Sequence, residues 1–106
     1  MAGTYRTAIS TRAGKDIEDI CSHIANRLHN PDAARVHKKE FNKTVNSLRV
    51  IPQRNSPLYL KKKQSHFRRQ LVKNYYLYYF IEETARTVII VTVQYCRRDL
   101  KNIDFD

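Results

Sequence analysis

Residues 67–99 read FRRQLVKNYYLYYFIEETARTVIIVTVQYCRRD. Three runs lie in this stretch, separated by two turns. Tyrosine and β-branched residues dominate the second and third runs, and such side chains suit a pleated, half-buried surface. In the last run Val88, Ile90 and Thr92 alternate with Ile89, Val91 and Val93. Both faces are largely apolar, which predicts a central strand. In the middle run Leu77, Tyr79 and Ile81 share one face, while Tyr76, Tyr78 and Phe80 share the other. The first run, from about Phe67 to Leu71, sets Phe67, Arg69 and Leu71 against Arg68 and Gln70. A three-residue turn Val72-Lys73-Asn74, with Asn74 in the left-handed conformation, places Leu71 opposite Tyr75 on the core side. A two-residue turn would instead set Leu71 beside Tyr76 and Tyr78, because a slip of one residue exchanges the two faces. The three-residue turn is the expectation. It gathers Arg68, Gln70, Tyr76 and Tyr78 on the face turned away from the helices upstream.

Those helices are read from period and punctuation. Tyr5, Thr7 and Ile9 alternate with Arg6 and Ala8, a short strand. Ser10 or Thr11 then caps a helix whose apolar stripe runs Ala13, Ile17, Ile20, Cys21, Ile24 and Leu28. Asp16, Glu18 and Asp19 are expected near its positive end. Asn30 and Pro31 suit the N-cap and first turn of a second helix, which carries Ala34, Phe41, Val45, Leu48 and Ile51 inward until Pro52 ends it. So short a break predicts a helical hairpin. Gln53 to Gln64 is expected as a loop, pinned by Tyr59 and Leu60 and carrying Lys61, Lys62 and Lys63.

The bulk numbers bound the class. A chain of 106 residues is expected to form one domain over 1–106, large enough for a core without staples. Lys plus Arg is 20 against 10 for Asp plus Glu, a formal charge of +10. That excess points to an anionic partner: nucleic acid first, an acidic protein second, a membrane surface third. No apolar run is long enough to span a bilayer and no signal-peptide core opens the chain, so a cytoplasmic location without membrane attachment is expected. Cys21 and Cys96 lack metal-type spacing, and neither a disulfide, a metal nor a cofactor is expected.

The order β-α-α-β-β-β and a set of short motifs resemble one family. The motifs are Ala13-x-x-Asp16-Ile17-x-Asp19-Ile20, then Asn30-Pro31-x-Ala33-Ala34, then Leu48-x-x-Ile51-Pro52. Phe67-Arg68, Asn74-Tyr75, Tyr79, Val91-x-Val93 and Tyr95-x-Arg97-Arg98-Asp99 follow. Over about Tyr5 to Asp99 the chain resembles the RelE/ParE superfamily of toxins from type II toxin–antitoxin modules. The resemblance implies an α+β fold, with an N-terminal strand and a helical hairpin packed on a small twisted antiparallel sheet. It implies a cognate antitoxin, small, acidic and partly disordered until it binds. It leaves two targets open. RelE-like members cut mRNA on the ribosome; ParE-like members inhibit DNA gyrase and are not nucleases.

Metal-free RNA cleavage needs the 2′-OH deprotonated, the phosphorane charge stabilised and the leaving oxygen protonated. The resemblance assigns phosphate clamps to Arg68 on the first sheet strand and Arg97 after the last, with Arg98 beside it. The alternative is that these arginines are surface charges or ion-pair partners of Asp99 and Glu82. For acid–base work the candidates are Tyr95, where some relatives carry a histidine, and His66, whose imidazole titrates near neutrality. Other relatives use lysines on the first sheet strand, where this chain has Arg68 and Gln70, and the tyrosine that RelE carries beyond its last strand finds no match in 101–106. Tyr76 and Tyr78 are candidates for base stacking, or form a docking patch or an ordinary aromatic cluster. Lys61, Lys62, Lys63 and Lys73 are candidates for steering a polyanion. His23, His29 and His37 show no ligand or triad pattern.

Overall fold

The computed structural model describes residues 4–105. Strand β1 (Arg6–Ile9) runs directly into helix α1 (Thr11–Ser22). Ser10 caps that helix, its hydroxyl accepting from the Ala13 amide at 3.0 Å. The helix then widens into a π-helical turn, His23–Arg27. Helix α2 (Pro31–Ser47) follows, capped by the Asn30 side chain, which accepts from the Ala33 amide at 3.1 Å. A short hairpin, β2 (Tyr59–Leu60) and β3 (Lys63–Gln64), precedes the meander β4 (Arg68–Val72), β5 (Tyr75–Glu82) and β6 (Thr87–Tyr95). The main sheet has the order β1-β6-β5-β4, so β6 is internal, as its doubly apolar pattern predicts. The meander is antiparallel, but β1 pairs with β6 in parallel, Arg6 opposite Thr87 and Ile9 opposite Ile90. The architecture is α+β with a mixed, mostly antiparallel sheet.

The helical hairpin covers one face of that sheet. Ala13 and Ile17 of α1, with Phe41 and Val45 of α2 and Leu48 just beyond it, meet Leu77, Tyr79, Val88, Ile90 and Val93. Phe41, Leu48 and Leu77 are sealed from solvent, and each such side chain contributes roughly 1.5–3 kcal/mol by leaving water. The other face is closed by the C-terminal segment. Ile103 is buried, and Phe105 stacks on Phe67 at 4.6 Å and stands edge-on to Tyr78 at 5.2 Å. An Arg12 Nη1 donation to the Asp104 carbonyl ties this segment to α1.

Several expectations are corrected. The β4–β5 turn has two residues, Lys73 and Asn74, because Val72 pairs with Tyr75 and Leu71 with Tyr76. Val72 is the side chain that fills the core beside Leu77, and Leu71 is left 52% exposed on the far face. Arg68 and Gln70 consequently lie on the helix side, apart from Tyr76 and Tyr78. Lys73, not Asn74, holds the positive φ, at 55°. The 53–64 loop contains the β2–β3 hairpin, whose tip residues Lys61 and Lys62 have φ of 51° and 65°. Ile51 points outward, 64% exposed at φ 51°, because α2 has ended at Ser47 and the left-handed residue turns the chain into Pro52. Leu28 also departs from its stripe, where the π-turn changes the helical phase.

Asp16 has a different task from the one read for it. It lies beyond the first turn of α1 and reaches the sheet. Its Oδ2 accepts from the Thr92 hydroxyl at 2.6 Å and the Val93 amide at 3.1 Å. Strand β1 ends opposite Ile90, so this carboxylate takes over where the parallel ladder stops.

Candidate functional site

Arg68 opens β4, and its half-buried side chain turns toward the 3₁₀ turn Pro52–Arg54. Its Nη1 donates to the Asn55 carbonyl and, at 3.4 Å, to that of Gln53. Asn55 Nδ2 donates to Gln70 Oε1 at 2.9 Å and to the Tyr79 hydroxyl at 3.1 Å. Tyr79 in turn donates to the Pro52 carbonyl at 2.8 Å. Arg68 is thus a clamp on the loop that follows α2. Burial pushes the Tyr79 phenol above its ordinary value, outweighing the Asn55 hydrogen bond and the positive charges of Arg68 and Arg54. It stays protonated at neutral pH.

Arg97 and Arg98 lie at the other end of the sheet. Arg98 donates from its backbone amide to the Tyr95 carbonyl at 2.9 Å, and from Nη2 to the Asn102 carbonyl at 3.4 Å. Asp99 pairs with Lys101 at 3.6 Å. Arg68 sits opposite Tyr79 and Tyr95 opposite Tyr75, four residues apart on β5. That is about 14 Å along the strand before the chain continues to Arg97. The Arg68 guanidinium is committed to the loop carbonyls, and Arg97 leaves the sheet from a separate position beyond Tyr95.

The remaining candidates are equally dispersed. His66 is exposed on the far face, its ring 4.2 Å from Phe67 and 5.1 Å from Phe80. Tyr95 stands edge-on to Tyr75 at 5.7 Å, on the helix side. Tyr78 is 1% exposed beneath the C-terminal segment, and a base reaches it only if that segment lifts. Tyr76 remains partly open, with the Arg69 guanidinium 4.0 Å above its ring. Lys61, Lys62 and Lys63 sit on the β2–β3 hairpin, remote in the chain from Lys73 at the β4–β5 turn.

What the fold does bring together is a cleft at the Lys73 end. The Cys96 amide donates to the Asn74 carbonyl at 2.8 Å, holding the β4–β5 turn against the exit of β6. A hollow of about 340 Å³ opens there, lined among others by His23, Leu28, His37, Tyr75 and Tyr95. His37 Nδ1 lies 2.8 Å from the Ala33 carbonyl, to which it donates, and its ring stands edge-on to Tyr75 at 6.1 Å. Burial, then the neighbouring Tyr95, Cys21 and Cys96, lift the Tyr75 phenol; burial likewise lifts the Cys21 thiol against the pull of Lys38. Neither group is an activated nucleophile. Both histidines were given no role from sequence; the spacing of His37 from Ala34 and Phe41 is a helical signal that could have found it, whereas His23 joins the cleft through the π-turn, which leaves no periodic signal.

An α+β domain of this topology is the fold found in solved toxin–antitoxin systems. The chain is similar to the chromosomal ParDE system of P. aeruginosa, with a TM-score of 0.71 and 11% identity over 89% of this chain and 98% of that one. It is similar to the RelBE2 toxin–antitoxin complex of Mycobacterium tuberculosis, with a TM-score of 0.59 and 19% identity over 87% and 98%. It is also similar to the archaeal RelE–RelB complex of Pyrococcus horikoshii OT3, with a TM-score of 0.59 and 17% identity over 91% and 99%. No curated protein matches the sequence significantly. Residues 8–100 match the family described as ParE toxin of type II toxin-antitoxin system, parDE. The chain belongs to that family, within the RelE/ParE superfamily of type II toxins.

Proposed function

We propose that this ParE-family toxin acts by binding a protein target, as the gyrase-inhibiting members do, and does not cut RNA. The observation that carries this reading is the separation of Arg68 from Arg97. Arg68 clamps the loop after α2, while Arg97 lies beyond the Tyr95 end of the sheet. Loss of one transition-state donor typically costs about 10²–10³ in rate, and the Arg68 guanidinium is already taken up by the carbonyls of Gln53 and Asn55. His66 and Tyr95 lie on opposite faces and supply no acid–base pair. The target is DNA gyrase, and the toxin is held inactive by a small acidic antitoxin that complements its charge of +10. It works as a single domain in the cytoplasm; no helix among the described residues is long and apolar enough to cross a membrane.

The test is induction of the chain in bacteria, with plasmid supercoiling, chromosomal breaks and mRNA 5′ ends followed together. Lost supercoiling and an SOS response over unchanged mRNA ends support the reading. Rapid translation arrest with new 5′ ends at ribosome-occupied codons, and normal supercoiling, would make the chain a ribosome-dependent endonuclease instead.

A further inference from the structure

Between the β2–β3 hairpin and the C-terminal segment lies a cavity of about 360 Å³, on the opposite side of the sheet from the helices. Its walls include Leu60, Phe67, Leu100, Ile103 and Phe105. Lys61, Lys63 and Lys101 also line it, against one carboxylate, Asp104. The volume lies in the range of about 300–1,000 Å³ that suits a bound group larger than a water cluster. The hairpin tip that presents two of these residues keeps Lys61 and Lys62 at φ of 51° and 65°, conformations that L side chains rarely adopt. Glycine or asparagine is the usual choice there, and lysines in their place concentrate positive charge beside an apolar hollow.

We infer that this cavity is an anchor site for an acidic peptide segment of a partner protein. One large apolar side chain enters the hollow, and flanking carboxylates meet Lys61 and Lys63, since Lys101 already pairs with Asp99. Apolar walls with a cationic rim select that pattern over a nucleobase. A base edge brings several donors and acceptors, each costly to bury unpaired. The Ser65 hydroxyl already donates to the Leu58 carbonyl at 2.9 Å and accepts from the Phe67 amide at 3.2 Å. Gln64 adds the one uncharged side-chain amide on the lining. The inference deepens the proposal of an acidic antitoxin by placing one of its contacts, and it can fail separately from it.

The chain contains no tryptophan, so a tryptophan in a peptide reports its own surroundings. The probe is a short synthetic peptide with Glu and Asp on both sides of a single Trp, titrated with the full chain. Saturable binding with blue-shifted emission is expected, with a serine-for-tryptophan peptide at least about tenfold weaker, the equivalent of burying one large apolar side chain. The double variant Lys61→Glu/Lys63→Glu should weaken the tryptophan peptide by about tenfold and reduce its salt dependence. Leu60→Glu, which places a charge in the wall, should remove the blue shift. Circular dichroism identifies any variant that unfolds, and the lysine variant, altered only at an exposed hairpin, carries the test if Leu60→Glu does not fold. Unshifted emission, or equal affinity for the tryptophan and serine peptides, would overturn the inference. So would an oligouridylate of matching charge that suffers the losses expected of the peptide when the peptide itself does not. Co-expression with the neighbouring reading frame separates the two ideas. A partner that co-purifies and binds these variants unchanged removes the anchor site and leaves the antitoxin reading; peptide binding without any such partner does the reverse.

Discussion

At the scale of single residues, the molecule is held by polar side chains that join elements far apart in sequence. The Asp16 carboxylate accepts from Thr92 and Val93, linking α1 to the middle of β6. Asp16→Ala should cost about 1.5–3 kcal/mol in urea denaturation, the range for hydrogen bonds to a charged acceptor. Asp16→Asn, which keeps one acceptor oxygen, should lose less. Tyr79→Phe removes both a donor to the Pro52 carbonyl and an acceptor for Asn55, and should cost about 1–3 kcal/mol. The same tyrosine gives a pH signature. Its folded phenol is raised above the ordinary value of about 10, so the unfolded chain releases that proton first. The stability contribution is full below pH of about 10 and falls as pH rises through the folded value. Tyr79→Phe should flatten that alkaline decline, leaving the share of Tyr75, which burial raises in the same direction.

At the scale of elements, local pattern and non-local pairing had different visibility. The caps Ser10 and Asn30 and the stripes of α1 and α2, as far as Ile24 and Leu48, are written in neighbouring residues and fold as read. The β4–β5 register was not, because Leu71 and Val72 are both apolar and either could have faced inward; the core takes Val72. Lys73 then occupies the left-handed position that Asn74 seemed suited to fill. A β-carbon there costs about 1–2 kcal/mol, partly offset in a glycine by extra freedom of the unfolded chain. Lys73→Gly should therefore raise stability by roughly 0.5–1 kcal/mol, read as a higher Tm in a calorimetric scan. The parallel partner of β1 had no signature at all, since strand alternation does not name a neighbour. The candidate site suffered the same limit. The residue types of Arg68, Arg97, Tyr95 and His66 were visible, but the one-residue register change turns Arg68 to the helix side, and His66 and Tyr95 pack on opposite faces.

At the scale of the whole molecule, the sheet has two covers of unequal strength. A helical hairpin seals one side, and the residues after Asp99 seal the other through Ile103 and Phe105. That segment carries no periodic pattern, which is why its role went unread and Tyr78 looked available. Ending the chain after Asn102 should lower stability by about 3 kcal/mol, the burial of two large apolar side chains, and should increase binding of a hydrophobic dye. A truncated chain with unchanged stability and no dye binding would mean the segment is only loosely applied.

The pairing of β1 with β6 also sets a schedule for the newborn chain. Ile9 finds its partner in Ile90, and the Tyr5 hydroxyl donates to Glu83 Oε1 at 2.9 Å. At about 5–20 residues per second, the first strand waits on the order of 4–16 s for its mate to leave the ribosome. Until then the nascent polypeptide is a helical hairpin without a sheet beneath it. The sheet closes only once β6 has been made, which gives a co-synthesised antidote time to be waiting.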